Sequence, residues 1–227
     1  MNKQKIYFVI IFTILSLLAF QVPISKIIGS SQSFTLFELI APIGGMFLGP
    51  LLGGVSAFCV RAIDIIYKHQ SLDLLTAIRF LPAMLAAVYF GMKSKKSAII
   101  FPVCIILFWL NPIGRQAWLY PLIWLIPFVT TLGKKRLILN SLGATMTAHA
   151  VGSTIFLYTF GLTPAIWMGL IPVVFVERGI FTVGIWCSYL AMNWLLNLLA
   201  KIEKVKVLKR FVKEEYLPSL EFLKSRA

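Results

Sequence analysis

The chain has 227 residues, of which 59% are apolar and 13% charged, with mean hydropathy +0.88; soluble domains run at roughly half apolar and about a quarter charged. That balance excludes an ordinary soluble protein and predicts an all-α fold, a polytopic integral membrane helical bundle. The formal charge of +14 sits in short clusters between apolar runs, where membrane topology accounts for it without nucleic acid, and no basic face carries a recognition motif.

Charge is unevenly divided along the chain. Residues 1–200 hold four acids, Glu38, Asp64, Asp73 and Glu177, while the last 27 residues hold four more beside eight Lys/Arg. The expected organisation is a transmembrane domain over 1–200 and a basic cytoplasmic tail over 201–227. Cys59, Cys104 and Cys187 lie singly in apolar runs, so neither a disulfide framework nor a metal site is indicated, and no cofactor is expected.

A membrane helix needs about 20 mainly apolar residues. Runs at 6–25, 39–60, 74–92, 97–110, 117–132, 137–160 and 165–199 therefore predict six or seven crossings. The first lacks a convincing cleavage site and is expected to remain as a span. In the second, Ala41, Gly45, Gly49, Gly53 and Ala57 form a small-residue row at four-residue spacing, continued by Arg61. Such a row lets another helix approach closely, either within the chain or from a partner. Pro50 predicts a kink there. Arg61 and Asp64 are spaced for a local salt bridge, and Arg79 in the third run snorkels or pairs with an acid. Between 97 and 132, Pro102, Pro112, Pro121 and Pro127 interrupt two short runs around Arg115, giving a hairpin or one crossing beside a re-entrant piece.

The run 137–160 carries the polar row Ser141, Thr145, His149 and Ser153 beside Ala144, Ala148 and Gly152, a face suited to protein or a watery cavity. His149 reads as an interhelical hydrogen-bond partner, a ligand-binding group or a proton relay. The last run is too long for one upright helix, so an interfacial piece around Trp167, a break near Pro172 and a tilted helix to Leu199 are expected. Within it, Glu177 and Arg178 are costly unless paired or hydrated. Helical neighbours diverge by about 100°, so each is expected to need its own partner. In the tail, Ile202, Val205, Leu208 and Val212 alternate with Lys204, Lys206, Lys209, Arg210 and Lys213. They predict a basic amphipathic helix, on anionic headgroups or docked to a cytoplasmic partner.

Orientation follows from the clusters Lys3/Lys5, Lys93/Lys95/Lys96, Lys134/Lys135/Arg136 and the tail. A hairpin at 97–132 gathers the last three on one side but sends the N-terminus to the other. Six spans keep both ends cytoplasmic and place the Lys93 cluster outside. Both ends inside is the expectation. Arg115, Trp118, Tyr120, His149, Tyr158, Glu177 and Arg178 would then converge on one mouth suited to a small polar, planar or anionic molecule; a structural ion-pair network without ligand is the other reading. H-E-x-x-H, G-x-S-x-G and the phosphate-loop pattern are all missing from the sequence, so an enzyme is not expected.

The run Phe34 to Gly54, FTLFELIAPIGGMFLGPLLGG, with Gly45, Gly49, Pro50 and Gly53 in a GxxxGPxxG entry, resembles the start of the second helix in substrate-binding S components of energy-coupling factor transporters. The resemblance implies a roughly six-helix membrane protein that captures a vitamin or other micronutrient from outside. It would work with a transmembrane coupling subunit and two ATP-binding cassette subunits, toppling in the membrane to release its cargo. It also implies a capping role for Gln32 to Glu38, with Glu38 touching ligand. The family's Ala-x-x-x-Ala docking pattern on the first helix is not matched; Ser16 and Ala19 are the nearest small residues. The expected ligand set is thus Glu38, Arg115, Trp118, His149, Glu177 and Arg178. A self-sufficient proton-coupled carrier using His149 and Glu177 is the alternative, followed by a membrane-embedded enzyme.

Overall fold

A computed structural model describes every residue except 1–2, 27–32, 70–77, 79, 93, 134–135 and 218–227. Asp73, Arg79, Lys93, Lys134, Lys135, the start of the Gln32–Glu38 cap and the end of the tail thus lie outside the described residues or at their edge. Helix α1 (Lys3–Phe20) leads into an antiparallel ribbon of β1 (Pro23–Lys26) and β2 (Ser33–Thr35). Next come α2 (Phe37–Ile40), α3 (Ile43–Leu48), α4 (Pro50–Tyr67) and α5 (Leu81–Gly91). A 3₁₀ turn, Lys95–Ile99, enters α6 (Ile100–Leu110), followed by α7 (Pro112–Gln116) and a second 3₁₀ turn, Tyr120–Trp124, that runs into α8 (Leu125–Leu132). Two long helices, α9 (Leu137–Thr159) and α10 (Pro164–Leu199), precede 3₁₀ segments Glu203–Phe211 and Glu214–Tyr216. The fold is all-α apart from the ribbon, and α4 and α10 are long and apolar enough to cross a membrane.

The run 39–60 is not one kinked helix. Gly49 adopts φ 90°, a backbone that favours glycine, and Pro50 opens α4 at a position that needs no N–H donor. Limbs α3 and α4 consequently fold back on each other. The Gly45 and Gly53 backbones meet, and Gly91 of α5 closes against Gly45 and Pro50. A Cβ at Gly45 or Gly53 would overlap backbone atoms. Ala41 and Ala57 are also buried, so the row packs α3, α4 and α5 together inside the chain.

This reversal sets the topology. Phe20, Phe37 and the end of α4 share one end of the bundle: Phe20 stacks on Phe37 at 4.0 Å, and Arg61 and Lys68 lie over the Phe20 ring. Phe8, Phe47, Tyr189 and Phe211 share the other. The end of α5 joins that second end, since Asn140 of α9 donates to the Phe90 carbonyl at 3.0 Å and Tyr89 bonds Thr131 of α8. The two described ends of the chain lie together; Arg210 donates to Gln4 at 3.4 Å. Lys5, Lys95, Lys96, Arg136, Lys206, Lys209 and Lys213 stand at this same end.

Helix α10 is continuous through Pro172, contrary to the expected break. At about 1.5 Å per residue it is ~54 Å long. Thr163 Oγ1 accepts from the Ile166 N–H, and Trp167 is buried against Phe108 and Tyr120. Packing on both sides of the proline outweighs the lost hydrogen bond. The tail is 3₁₀ rather than α-helical, and it docks on the bundle. Leu208 is fully buried, Phe211 meets Phe8, and buried Asn193 brackets the Lys213 backbone, accepting its N–H at 2.7 Å and donating to its carbonyl at 2.9 Å.

Candidate functional site: a charged cavity opposite the basic end

At the end away from the lysine clusters lies a cavity of about 490 Å³. Its walls come from distant parts of the chain: Ser33, Phe34 and Thr35 of β2, Glu38 of α2, Arg61, Asp64 and Lys68 from the end of α4, Tyr120, the last half of α9 and the first half of α10. Stacking of buried Phe37 on Phe20 fixes α2, which brings Glu38 to the wall.

The charges in this cavity are paired. Arg178 Nη2 donates to Glu177 Oε2 at 2.6 Å, Lys68 Nζ lies 2.9 Å from Asp64, and Arg61 approaches Glu38 at 4.0 Å. All the described acids of residues 1–200 line this one space. Two expectations are corrected here. Glu177 and Arg178 satisfy each other, because the long guanidinium arm bridges the angle between neighbouring Cβ atoms. Arg61 and Asp64 do not pair; Asp64 takes Lys68 one turn on, and Arg61 turns to Glu38.

Arg178 is 4% exposed. Its Nη1 donates to Thr145 at 3.3 Å, and its guanidinium lies 5.0 Å from the Phe34 ring and 4.3 Å from the Phe181 ring, contacts that stabilise a cation where water is excluded. Ser25 of β1 donates to Glu177 at 3.4 Å. The ribbon is therefore tied to the cavity wall through Ser25–Glu177 and Phe34–Arg178.

His149 is held at both ring nitrogens. Trp124 Nε1 donates to Nδ1 at 3.0 Å, and Nε2 lies 3.1 Å from Tyr120 Oη and 3.3 Å from Ser153 Oγ. An indole N–H only donates, so Nδ1 carries no proton and the imidazole is the neutral Nε2–H tautomer. The Nε2–H donates into the Tyr120–Ser153 hydroxyl pair, whose oxygens lie 3.1 Å apart. A proton relay through His149 would require Trp124 to leave. Removing the indole donor in Trp124→Phe orphans Nδ1, and an expected loss of about 1–3 kcal/mol in stability, read by chemical unfolding in detergent, checks this arrangement.

Glu38, His149, Glu177 and Arg178 thus share the cavity. Arg115 and Trp118 do not: Arg115 is exposed in the last turn of α7 and Trp118 on the turn after it, while Ala117 and Tyr120 face inward. The inward residue of that segment is Tyr120. Sequence reasoning did not assign Arg61, Asp64, Lys68, Phe34 or Trp167 to the site. The available signal was the scarcity of acids, since an apolar body retains so few that each marks a partner.

No family model and no solved structure matches the chain. Over 207 residues it is 28% identical to an uncharacterized protein of Methanocaldococcus jannaschii, covering 80% of this chain and 69% of that one.

Proposed function

We propose that the chain is a multi-pass cell-membrane protein that captures a small polar molecule, such as a vitamin or micronutrient, from outside the cell. In this reading it is a non-enzymatic S component of an energy-coupling factor transporter. Transport is driven by two cassette ATPases through a transmembrane coupling subunit. The basic end, with the start of α1 and the described part of the tail, faces the cytoplasm, in keeping with the lysine bias of cytoplasmic loops.

The observation that carries the reading is the position of the cavity. It lies at the end opposite the basic clusters, its volume is that of a small-molecule site, and its polar groups are ion-paired rather than arranged around a metal; no group of His, Cys, Asp and Glu able to hold a metal occurs among the described residues. The experiment is purification of the tagged protein from its own host in mild detergent, with protein mass spectrometry. Stoichiometric cassette ATPases and one further membrane subunit are expected. Their absence, from an extract in which a known transporter complex survives, would remove the ATP-driven reading.

A further inference from the structure

Among the described residues, five buried side-chain polar atoms have no hydrogen-bond partner: Ser16 Oγ, Arg61 Nε, Asp64 Oδ1, Trp167 Nε1 and Arg178 Nε. All but Ser16 belong to cavity-lining residues. Asp64 Oδ1 has the Lys68 ammonium at 2.9 Å, so its charge is compensated. Three of these four cavity-lining atoms, on Arg61, Trp167 and Arg178, are N–H donors. A buried donor left unpaired costs about 1–3 kcal/mol, and native interiors hold few of them. Three donors around one cavity describe the complement of an acceptor.

The Arg61–Glu38 pair is the weak member of the set. At 4.0 Å it is beyond hydrogen-bond length, whereas Glu177 and Asp64 hold their cations closely. Arg61 can therefore turn its planar fork to a carboxylate without breaking a formed hydrogen bond, and guanidinium receives a carboxylate in bidentate fashion. Phe20, Phe34, Phe156 and Trp167 supply apolar faces in the same space. At the packing density of an organic solid, the cavity holds roughly 20 non-hydrogen atoms.

We infer that the cavity is built for a small aromatic carboxylate, its ring among the aromatic walls and its carboxylate oxygens on Arg61 and the Trp167 indole N–H. This rests on the capture reading and narrows its ligand from any polar molecule to an acid with a flat ring.

The test uses three probes of one shape on the purified full chain: naphthoate, naphthamide and naphthylmethylamine, followed by calorimetry and by thermal unfolding. Naphthoate is expected to bind about tenfold or more tighter than either isostere, the scale of one charge-assisted hydrogen bond. Trp167→Phe, which keeps a ring and removes the donor, should weaken naphthoate by about fivefold or more. Arg61→Lys, which keeps charge and removes the fork, should reduce naphthoate affinity and with it the preference for the acid over the amide. Equal binding of acid and amide, tighter binding of the amine, absence of binding by all three, or full naphthoate affinity in a folded Arg61→Lys protein would each overturn the inference. Cassette subunits that co-purify with a chain that ignores naphthoate would sink the ligand class alone. Naphthoate binding without such subunits would sink the ATP-driven reading alone.

Discussion

Glu177→Ala is expected to lower stability by about 3 kcal/mol, because it strips the counter-charge from a guanidinium that is 4% exposed. Breaking one side of a buried pair costs about 3–5 kcal/mol. The lower end applies because Glu177 keeps 22% of its side chain exposed, so water reaches part of the pair. Glu177→Gln should fall between wild type and Glu177→Ala, since the amide oxygen still accepts from Arg178 and Ser25. The double replacement Glu177→Leu with Arg178→Met should recover most of the loss, as an apolar pair no longer buries a lone charge. Unfolding by a denaturing detergent reads all of these. A double variant less stable than Glu177→Ala would show that Arg178 contributes through Thr145 and the Phe34 and Phe181 rings more than through its acid. Charge removal at Glu177 therefore disturbs the wall itself, and weakened ligand binding in that variant is not evidence of direct contact.

The glycine hairpin gives the second large effect. Gly53→Ala places a methyl group inside the Gly45 backbone, and Gly45→Ala places one against the Ala87 carbonyl. Backbone rather than a flexible side chain must move, so each substitution should cost about 3 kcal/mol or more, at or beyond the upper range of overpacking. Gly49→Ala meets no atom within 4 Å but keeps φ 90°, and about 1–2 kcal/mol of backbone strain is expected there. Gly169→Ala is the control. It sits inside α10 with nothing within 4 Å of its added carbon, so it should be neutral or stabilising by about 0.5–1 kcal/mol. The ranking Gly53 and Gly45, then Gly49, then Gly169 is measured on one thermal scale. A mild effect at Gly53 with a severe one at Gly169 would mean that the row faces a partner across α10 rather than its own hairpin.

The parts of the fold legible in sequence are those governed by a single local signal. The extent of α9, Leu137–Thr159, matches the uninterrupted run 137–160, and of its polar row Ser141, Thr145, His149 and Ser153, the last two line the cavity. The glycine row was visible as a packing device. Its partner was not, because periodicity cannot separate a helix that continues past Gly49 and Pro50 from one that reverses there; both keep small residues four apart. That one ambiguity hid the close approach of Gly45 to Gly53. Pro172 misled in the opposite direction, since a helix breaker is overruled when Trp167 before it and Val174 and Arg178 after it are packed into the core.

The site shows the same division. Glu177, Arg178 and His149 stand out because charge and imidazole are rare in this apolar body. Arg115 stood out for the same reason and faces outward, since rarity says nothing about which way a residue on a short helix points. Arg61 and Asp64 were assigned to each other by spacing along one helix. Their partners are set by tertiary placement of Glu38 and by the next turn of α4, which spacing alone does not rank.

The central claim is a capture cavity open to the outside of the cell with the lysine-rich end in the cytoplasm. Labelling with a membrane-impermeant thiol reagent tests it directly, in a background where Cys59, Cys104 and Cys187 are replaced by alanine. Ser33→Cys, on the exposed edge of β2 at the cavity mouth, should react in intact host cells. Lys206→Cys, exposed on the docked tail, should react only after permeabilisation. The reverse pattern, or equal labelling of both positions in intact cells, would contradict the account.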